Sequence, residues 1–189
     1  MRNNKIAFVL FLIFSNIAFA NITLPNVFSD NMVLQRNTEV VFWGFANPQE
    51  EVVIKPSWNN QEYKIKASNQ AKWEIAIPTP KEGGPYTISI KGYNEIILKN
   101  ILIGEVWICS GQSNMEMNAS WGIDNGDEAV KNAANPNMRL FLVPKLTAVA
   151  PQNNLSGNWT ECTPETMKYF SAVAYFFGKR LQEDLKNVP

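Results

Sequence analysis

The 189-residue chain contains no histidine. Histidine is the usual general base of serine hydrolases and the commonest imidazole metal ligand. A Ser-His-Asp triad therefore cannot be completed from these residues, and the HExxH and Cys/His zinc patterns are excluded with it. Cysteine is scarce: Cys109 and Cys162 are the only two, and their spacing fits no CxxC metal or redox motif. An excess of either charge is lacking, with 17 basic and 17 acidic residues and a formal net charge of zero. No basic stripe or acidic tail points to nucleic acid or to an anionic membrane surface. The one long apolar run covers residues 6–14, too short to span a bilayer as a helix. No internal repeat or low-complexity segment is present.

What is there is an ordinary globular composition, 46% hydrophobic and 18% charged, in a length that suits one medium domain or two small ones. Residues 1–20 read as a signal peptide. Arg2 and Lys5 open it, the apolar run follows, and Ala18-Phe19-Ala20 is a small-x-small cleavage signal. The expected product is an exported protein, periplasmic or secreted, beginning near Asn21 and holding no membrane segment in its mature form. No cysteine stands at the cleavage site, which argues against a lipoprotein.

From residue 21 to about 100, short β-rich runs alternate with turn residues. The expected strands cover residues 32–35, 39–45, 51–57, 62–67, 72–77, 86–91 and 95–98. Tyr63, Ile65 and Ala67 alternate with Lys64 and Lys66, the period of two that marks a strand with one wet face. Gly83-Gly84-Pro85 and Asn59-Asn60 are typical of the punctuation. The pattern predicts an all-β sandwich, jelly-roll or immunoglobulin-like, over residues 21–102. Among its tryptophans, Trp43 reads as core and Trp73 as a core or edge aromatic. Trp58, beside a turn, is the exposed candidate for stacking on a sugar ring.

The second region, residues 103–189, reads as the start of an α/β layer. Residues 101–103 and 106–109 are apolar on both faces, as in a covered parallel sheet. A helix is expected over 124–134, a strand over 138–143 and a long loop over 145–159. Thr163-Pro164 starts a helix to about residue 186, with Phe170, Val173, Ala174, Phe177, Leu181 and Leu185 as its core stripe. Strand, helix, strand and helix are too few to close a layered sheet, so this domain reads as incomplete.

The apolar run 106–109 ends at Gly111, and Ser113 follows two positions later. Chemistry gathers at such strand-to-helix turns in open α/β sheets. Ser113 is the one credible nucleophile. It requires a base within hydrogen-bond reach, and backbone N–H groups on its turn are available for an oxyanion. Gly111 is read as the residue that allows the tight turn. Met115 occupies the place where a GxSxG elbow has its last glycine, so that motif is not met. The competing reading of Ser113 is a helix cap.

The block from Gly104 to Met117, with GQSNMEM at its end, resembles the first block of the sialate O-acetylesterases, in the SGNH/GDSL hydrolase superfamily. The run from Leu24 to Arg36 and the run from Phe170 to Gly178 resemble the same family. The resemblance implies a flavodoxin-like three-layer α/β domain after the sandwich, with Ser113 as nucleophile and its backbone N–H as an oxyanion donor. Gln112 stands where the superfamily has the Asp of its GDS motif, and Asn114 is a candidate for ordering the loop. The implied chemistry is two-step acyl transfer on an O-acetylated carbohydrate, either a sialic acid or a polysaccharide ester, without metal or cofactor. The family's later glycine, asparagine and Asp-x-x-His blocks are absent from these residues. The chain is thus expected to be an N-terminal portion, inactive alone.

A rival reading is an exported, non-catalytic carbohydrate-binding sandwich using Trp58. A purely structural exported domain is the third. If exported, Cys109 and Cys162 can pair in one disulfide; otherwise both read as small buried apolar residues. Glu105, Glu116, Asp124 and Asp127 are better read as solvated carboxylates than as the paired acids of a glycosidase.

Overall fold

The computed structural model describes residues 21–189; the expected signal peptide lies outside them. The described chain is mostly β, with few helices. Its first strands are β1 (Val33–Gln35), β2 (Glu39–Phe45), β3 (Glu51–Pro56), β4 (Tyr63–Lys66), β5 (Lys72–Pro78), β6 (Gly83–Lys91) and β7 (Glu95–Gly104). They form a five-stranded sheet in the order β1-β7-β6-β3-β4 and a two-stranded antiparallel ribbon, β2-β5. The pairs are antiparallel except β1 with β7, where Gln35 lies opposite Gly104. The inward residues of both sheets meet in one core. Phe42 and Ile77 come from the ribbon, and Val52, Ile54, Ile88, Ile90 and Ile101 from the larger sheet. Period-two alternation put these residues on one face of each strand. Glu50 is buried beside this core. Burial favours its neutral form, but N–H donors from Tyr93 and Asn47 outweigh that and hold its pKa below the usual carboxylate range.

β7 departs from the expected pattern. Residues 101–103 do not open a second sheet; they continue the strand that starts at Glu95. The reason lies at Asn100, whose φ of 56° is left-handed. The pairing with β6 shifts register nearby, between Gly83 and Ile88. Alternation from Leu98 would point Asn100 and Leu102 into the core. The irregularity reverses the phase, so that Ile101 and Ile103 enter it instead. Leu102 is buried as well, which accounts for a stretch that is apolar on both faces.

After β7 come α1 (Ser113–Glu116), a 3-10 turn (Ala119–Trp121), α2 (Gly126–Lys131), β8 (Asn135–Phe141), β9 (Trp159–Cys162), α3 (Pro164–Met167) and α4 (Ala172–Asp184). A second core gathers Met138, Leu140, Cys162, Met167 and Tyr175. Three expectations are corrected here. The strand after α2 begins at Asn135 and pairs antiparallel with β9, which lies at the end of the expected loop. The expected long last helix is two helices. Thr163 and Thr166 form a capping box on α3, and Ser171 starts α4 anew by accepting from the Ala174 N–H. The core stripe of α4 is also rotated. Ala174, Tyr175 and Gln182 are buried, whereas Val173 and Phe177 are 49% and 41% exposed. The helix packs on β8 through Gly178, which has the Met138 side chain beside it, and Val173 and Phe177 point away from that contact.

Asn100 also joins the two cores. Its Nδ2 donates to Asn31 Oδ1 and to Glu161 Oε1, each at 2.8 Å, and its Oδ1 accepts from Arg139 Nη2 at 3.2 Å. The Arg139 side chain is only 2% exposed, and its charge is balanced by Glu161 at 3.5 Å. Trp159 Nε1 donates across the same seam to the Val27 carbonyl at 2.9 Å. Asn100→Ala removes three hydrogen bonds, one to a buried cation, and puts a Cβ residue at left-handed φ. The expected loss is about 2–4 kcal/mol, read from urea unfolding. Asn100→Gly relieves the backbone penalty only, so its unfolding midpoint should fall between those of Asn100→Ala and the unaltered chain.

Candidate functional site

The Ser113 segment leaves the larger sheet at Gly104 and is clamped there. Gln35 Nε2 donates to Glu105 Oε2 at 2.9 Å, and the Gln35 carbonyl Oε1 accepts from the Val106 N–H at 2.9 Å. Arg36 Nε donates to Glu105 Oε1 at 2.7 Å, and Arg36 Nη1 reaches Glu82 at 2.7 Å. The Arg36 N–H also bonds the Gly104 carbonyl at 2.8 Å. The Gln35 amide and the Arg36 guanidinium hold the Glu105 carboxyl below the usual carboxylate range, against partial burial. From the other side, the Glu105 N–H donates to the main-chain oxygen of Pro189 at 2.8 Å, and Gly104 has no room for a Cβ against Pro189.

Residues 105–111 form neither strand nor helix. This corrects the buried strand expected over 106–109: Trp107 is 58% and Ile108 95% exposed. Apolar content signals burial, but a strand also needs a neighbour for its N–H and C=O groups. Among the described residues no strand lies beside this segment. Its one aromatic contact is Trp107 set edge-on against Phe177 of α4, with ring centroids 5.3 Å apart.

Ser113 is the first residue of α1, and its side chain is exposed. It does not cap the helix, since Gln112 holds the cap position and no side chain bonds the helix start. The role of Gly111 differs from the expected one. Its φ is not left-handed, and what it provides is space: an added Cβ would lie 3.0 Å from Met115 Cβ. Met115 is held in turn by α4. Ser171 Oγ donates to Met115 Sδ at 3.3 Å, and the Ala172 N–H bonds the Met117 carbonyl at 2.9 Å. On the far side Glu116 pairs with Lys145. The side chains of Gln112 and Asn114 are exposed. The order in this loop comes from Glu105, Trp107 and Met115.

The cysteines are both free thiols and form no disulfide. Cys162 lies in the second core, donates to the Ala133 carbonyl at 3.2 Å and has its pKa pushed up to about 11 by burial. Cys109 is exposed on the open segment, so the buried reading holds for one of the pair. Trp58 is tied down: its Nε1 donates to the Pro78 carbonyl at 3.2 Å and its ring meets Tyr86 edge-on. Glu105, read from the sequence as a solvated carboxylate, is the anchor of the clamp. Its partners Gln35 and Arg36 lie about seventy residues away, and no local pattern links them to it. Among the described residues, no group of three or more His, Cys, Asp or Glu could hold a metal ion. No described helix is long and apolar enough to cross a membrane.

This arrangement, mostly β with Ser113 exposed on a braced turn, has a close match among solved structures. The crystal structure of a carbohydrate acetylesterase from Xanthomonas citri superposes with a TM-score of 0.84 at 33% identity, covering 89% of this chain and 39% of that one. Human sialate O-acetylesterase is 29% identical over 177 residues, 84% of this chain and 34% of the human protein. The mouse sialate O-acetylesterase is 30% identical over 82% of this chain and 32% of its own length. No protein-family model matches. The chain is a homologue of the sialate O-acetylesterases, and it spans about a third of the length of the curated relatives it matches.

Glu105→Gln tests the clamp. A carboxyl with a depressed folded pKa contributes stability that is complete above its unfolded pKa and is lost as pH falls through the folded value. The variant should unfold at lower urea than the unaltered chain at about pH 7, and the gap should narrow as the pH falls from about 5 through and below the ordinary carboxylate range. A gap that stays constant across that range would show that the carboxylate charge is not what anchors Gly104.

Proposed function

We propose that this chain is the nucleophile-bearing part of an exported carbohydrate O-acetylesterase. In this reading the β-sandwich expected over residues 21–102, extended to the end of β7 at Gly104, carries the first portion of an SGNH-type α/β domain. Cleavage near Ala20 releases the protein to the periplasm or the outside. The observation that carries the reading is Ser113, exposed on the first turn of α1 in a braced loop, within a chain homologous to sialate O-acetylesterases.

Ser113 Oγ attacks the acetyl carbonyl carbon, and the Oγ–C bond forms as the carbonyl oxygen takes up negative charge. The first-turn N–H groups of Ser113 and Asn114 have no helical acceptor and are free to stabilise that oxyanion. The C–O bond to the sugar then breaks. A general base takes the serine proton and delivers it to the departing sugar hydroxyl. Water, activated by the same base, cleaves the acetyl-serine to acetate and free Ser113. With no histidine in the chain, the base is a group from beyond these 189 residues. The chain alone is therefore expected to hydrolyse an aryl acetate no faster than its Ser113→Ala variant. In a polypeptide that also carries the remaining two thirds of the relatives' length, Ser113→Ala should lower kcat by about a thousandfold or more. The acetyl adduct trapped by rapid acid quench should map to the peptide bearing Ser113. Enzyme-like turnover by the chain alone, lost in Ser113→Ala, would overturn the need for an outside base.

A further inference from the structure

A cleft of about 450 Å³ opens on the β2-β5 ribbon, lined by Trp43, Phe45, Ser68, Lys72, Glu74 and Asn153 among others. It involves none of the residues around Ser113. Its volume falls in the range of small-ligand sites, about 300–1,000 Å³. The pairing register builds its floor. Trp43 stands opposite Glu74 and Phe45 opposite Lys72, so two aromatic and two oppositely charged side chains form a square on one face of the ribbon. Trp43 is half-buried, and Phe28 fixes it edge-on with ring centroids 4.5 Å apart. Phe28 is itself stacked on the core residue Phe42. The aromatic side of the cleft is thus rigid.

The polar side is unspent. Lys72 and Glu74 are exposed, and among the described residues neither side chain enters an ion pair, with each other or with anything else. Asn153 comes from the loop between β8 and β9. The neighbouring Asn154 accepts from the Asn26 N–H at 2.8 Å, which ties that loop to the same unit. An aromatic platform, a free ammonium, a free carboxylate, an amide and a hydroxyl suit a ligand with an apolar C–H face and a rim of hydroxyl groups. The two charges balance, which disfavours a polyanion.

We propose that this cleft binds an uncharged oligosaccharide, with Trp43 and Phe45 under the sugar rings and Lys72 and Glu74 bonding their hydroxyls. The choice of a sugar over another polyhydroxylated molecule rests on the carbohydrate acetylesterase reading; the cleft itself does not depend on Ser113. Such a site holds a glycan chain independently of the ester being cut.

The test is a titration of the chain with cellotetraose and with xylotetraose, followed by backbone amide shifts, with N-acetylneuraminic acid as the anionic control. Saturable shifts centred on residues 43–45 and 72–74 are expected for at least one neutral sugar. Lys72→Met and Glu74→Gln replace exposed groups without touching the core, so an unchanged spectrum elsewhere verifies their folds. Each should weaken binding by about tenfold, the loss of one charged hydrogen bond. Ser113→Ala should bind as the unaltered chain does. Absence of saturable shifts with both neutral sugars overturns the proposal. So does binding that both cleft variants retain, binding that Ser113→Ala abolishes, or equal affinity for N-acetylneuraminic acid. Failure of the esterase reading would appear elsewhere, as full kcat in the longer Ser113→Ala polypeptide, and would leave this titration unaffected.

Discussion

The direction in which the Ser113 segment leaves the larger sheet depends on the Glu105 carboxylate. It sits where β7 ends and the open segment begins, and it receives Gln35 and Arg36 from the strand alongside. Without that anchor, the seven residues between Glu105 and Ser113 would leave the sheet in no fixed direction. Gln35 adds a second hold, because its amide donates to the carboxylate and accepts from the Val106 N–H. The charge is compensated and partly screened from solvent, a setting in which an ion pair contributes more than on an open surface. The site is thus oriented from behind by the larger sheet, and from the side by α4 through Trp107 and Met115.

The same sheet reaches the rest of the molecule through polar contacts. Two apolar cores are separated by a seam carrying Arg139, Glu161, Asn100 and the Trp159 indole. Removing one partner of a buried charge costs more than the pair contributes, because the other is left without compensation.

The β-rich part was legible because its signals are local. Alternation in residues 63–66 and 86–91, and turn pairs such as Asn59-Asn60, mark strands with one buried face wherever the partner strands lie. The parts that eluded the sequence depend on distant partners. The stretch 106–109 has the composition of a covered strand, yet composition says nothing of whether a neighbour is present. The stripe on α4 was placed by spacing alone, and spacing does not say which of two adjacent apolar stripes meets the core. Ser113 stood out by its motif, while its support from Gln35, Arg36 and Ser171 left no trace in the local pattern. Trp58 drew notice as an exposed ring beside a turn but spends its indole N–H on Pro78. Trp43, read as core, packs against it half-buried and lines a cleft with the rest of its ring.

The left-handed residue in β7 has a consequence for how this sequence can change. Asn100 sets which side chains downstream face inward, and its own amide ties the seam. Loss or gain of one residue between Leu98 and Ile101 would turn Ile101 and Ile103 out of the core. It would also rotate the exit of β7, and with it the direction in which Ser113 is presented. Loops elsewhere absorb insertions at small cost. This strand cannot, so its length is counted in whole residues, and the aim of the serine is set by that count.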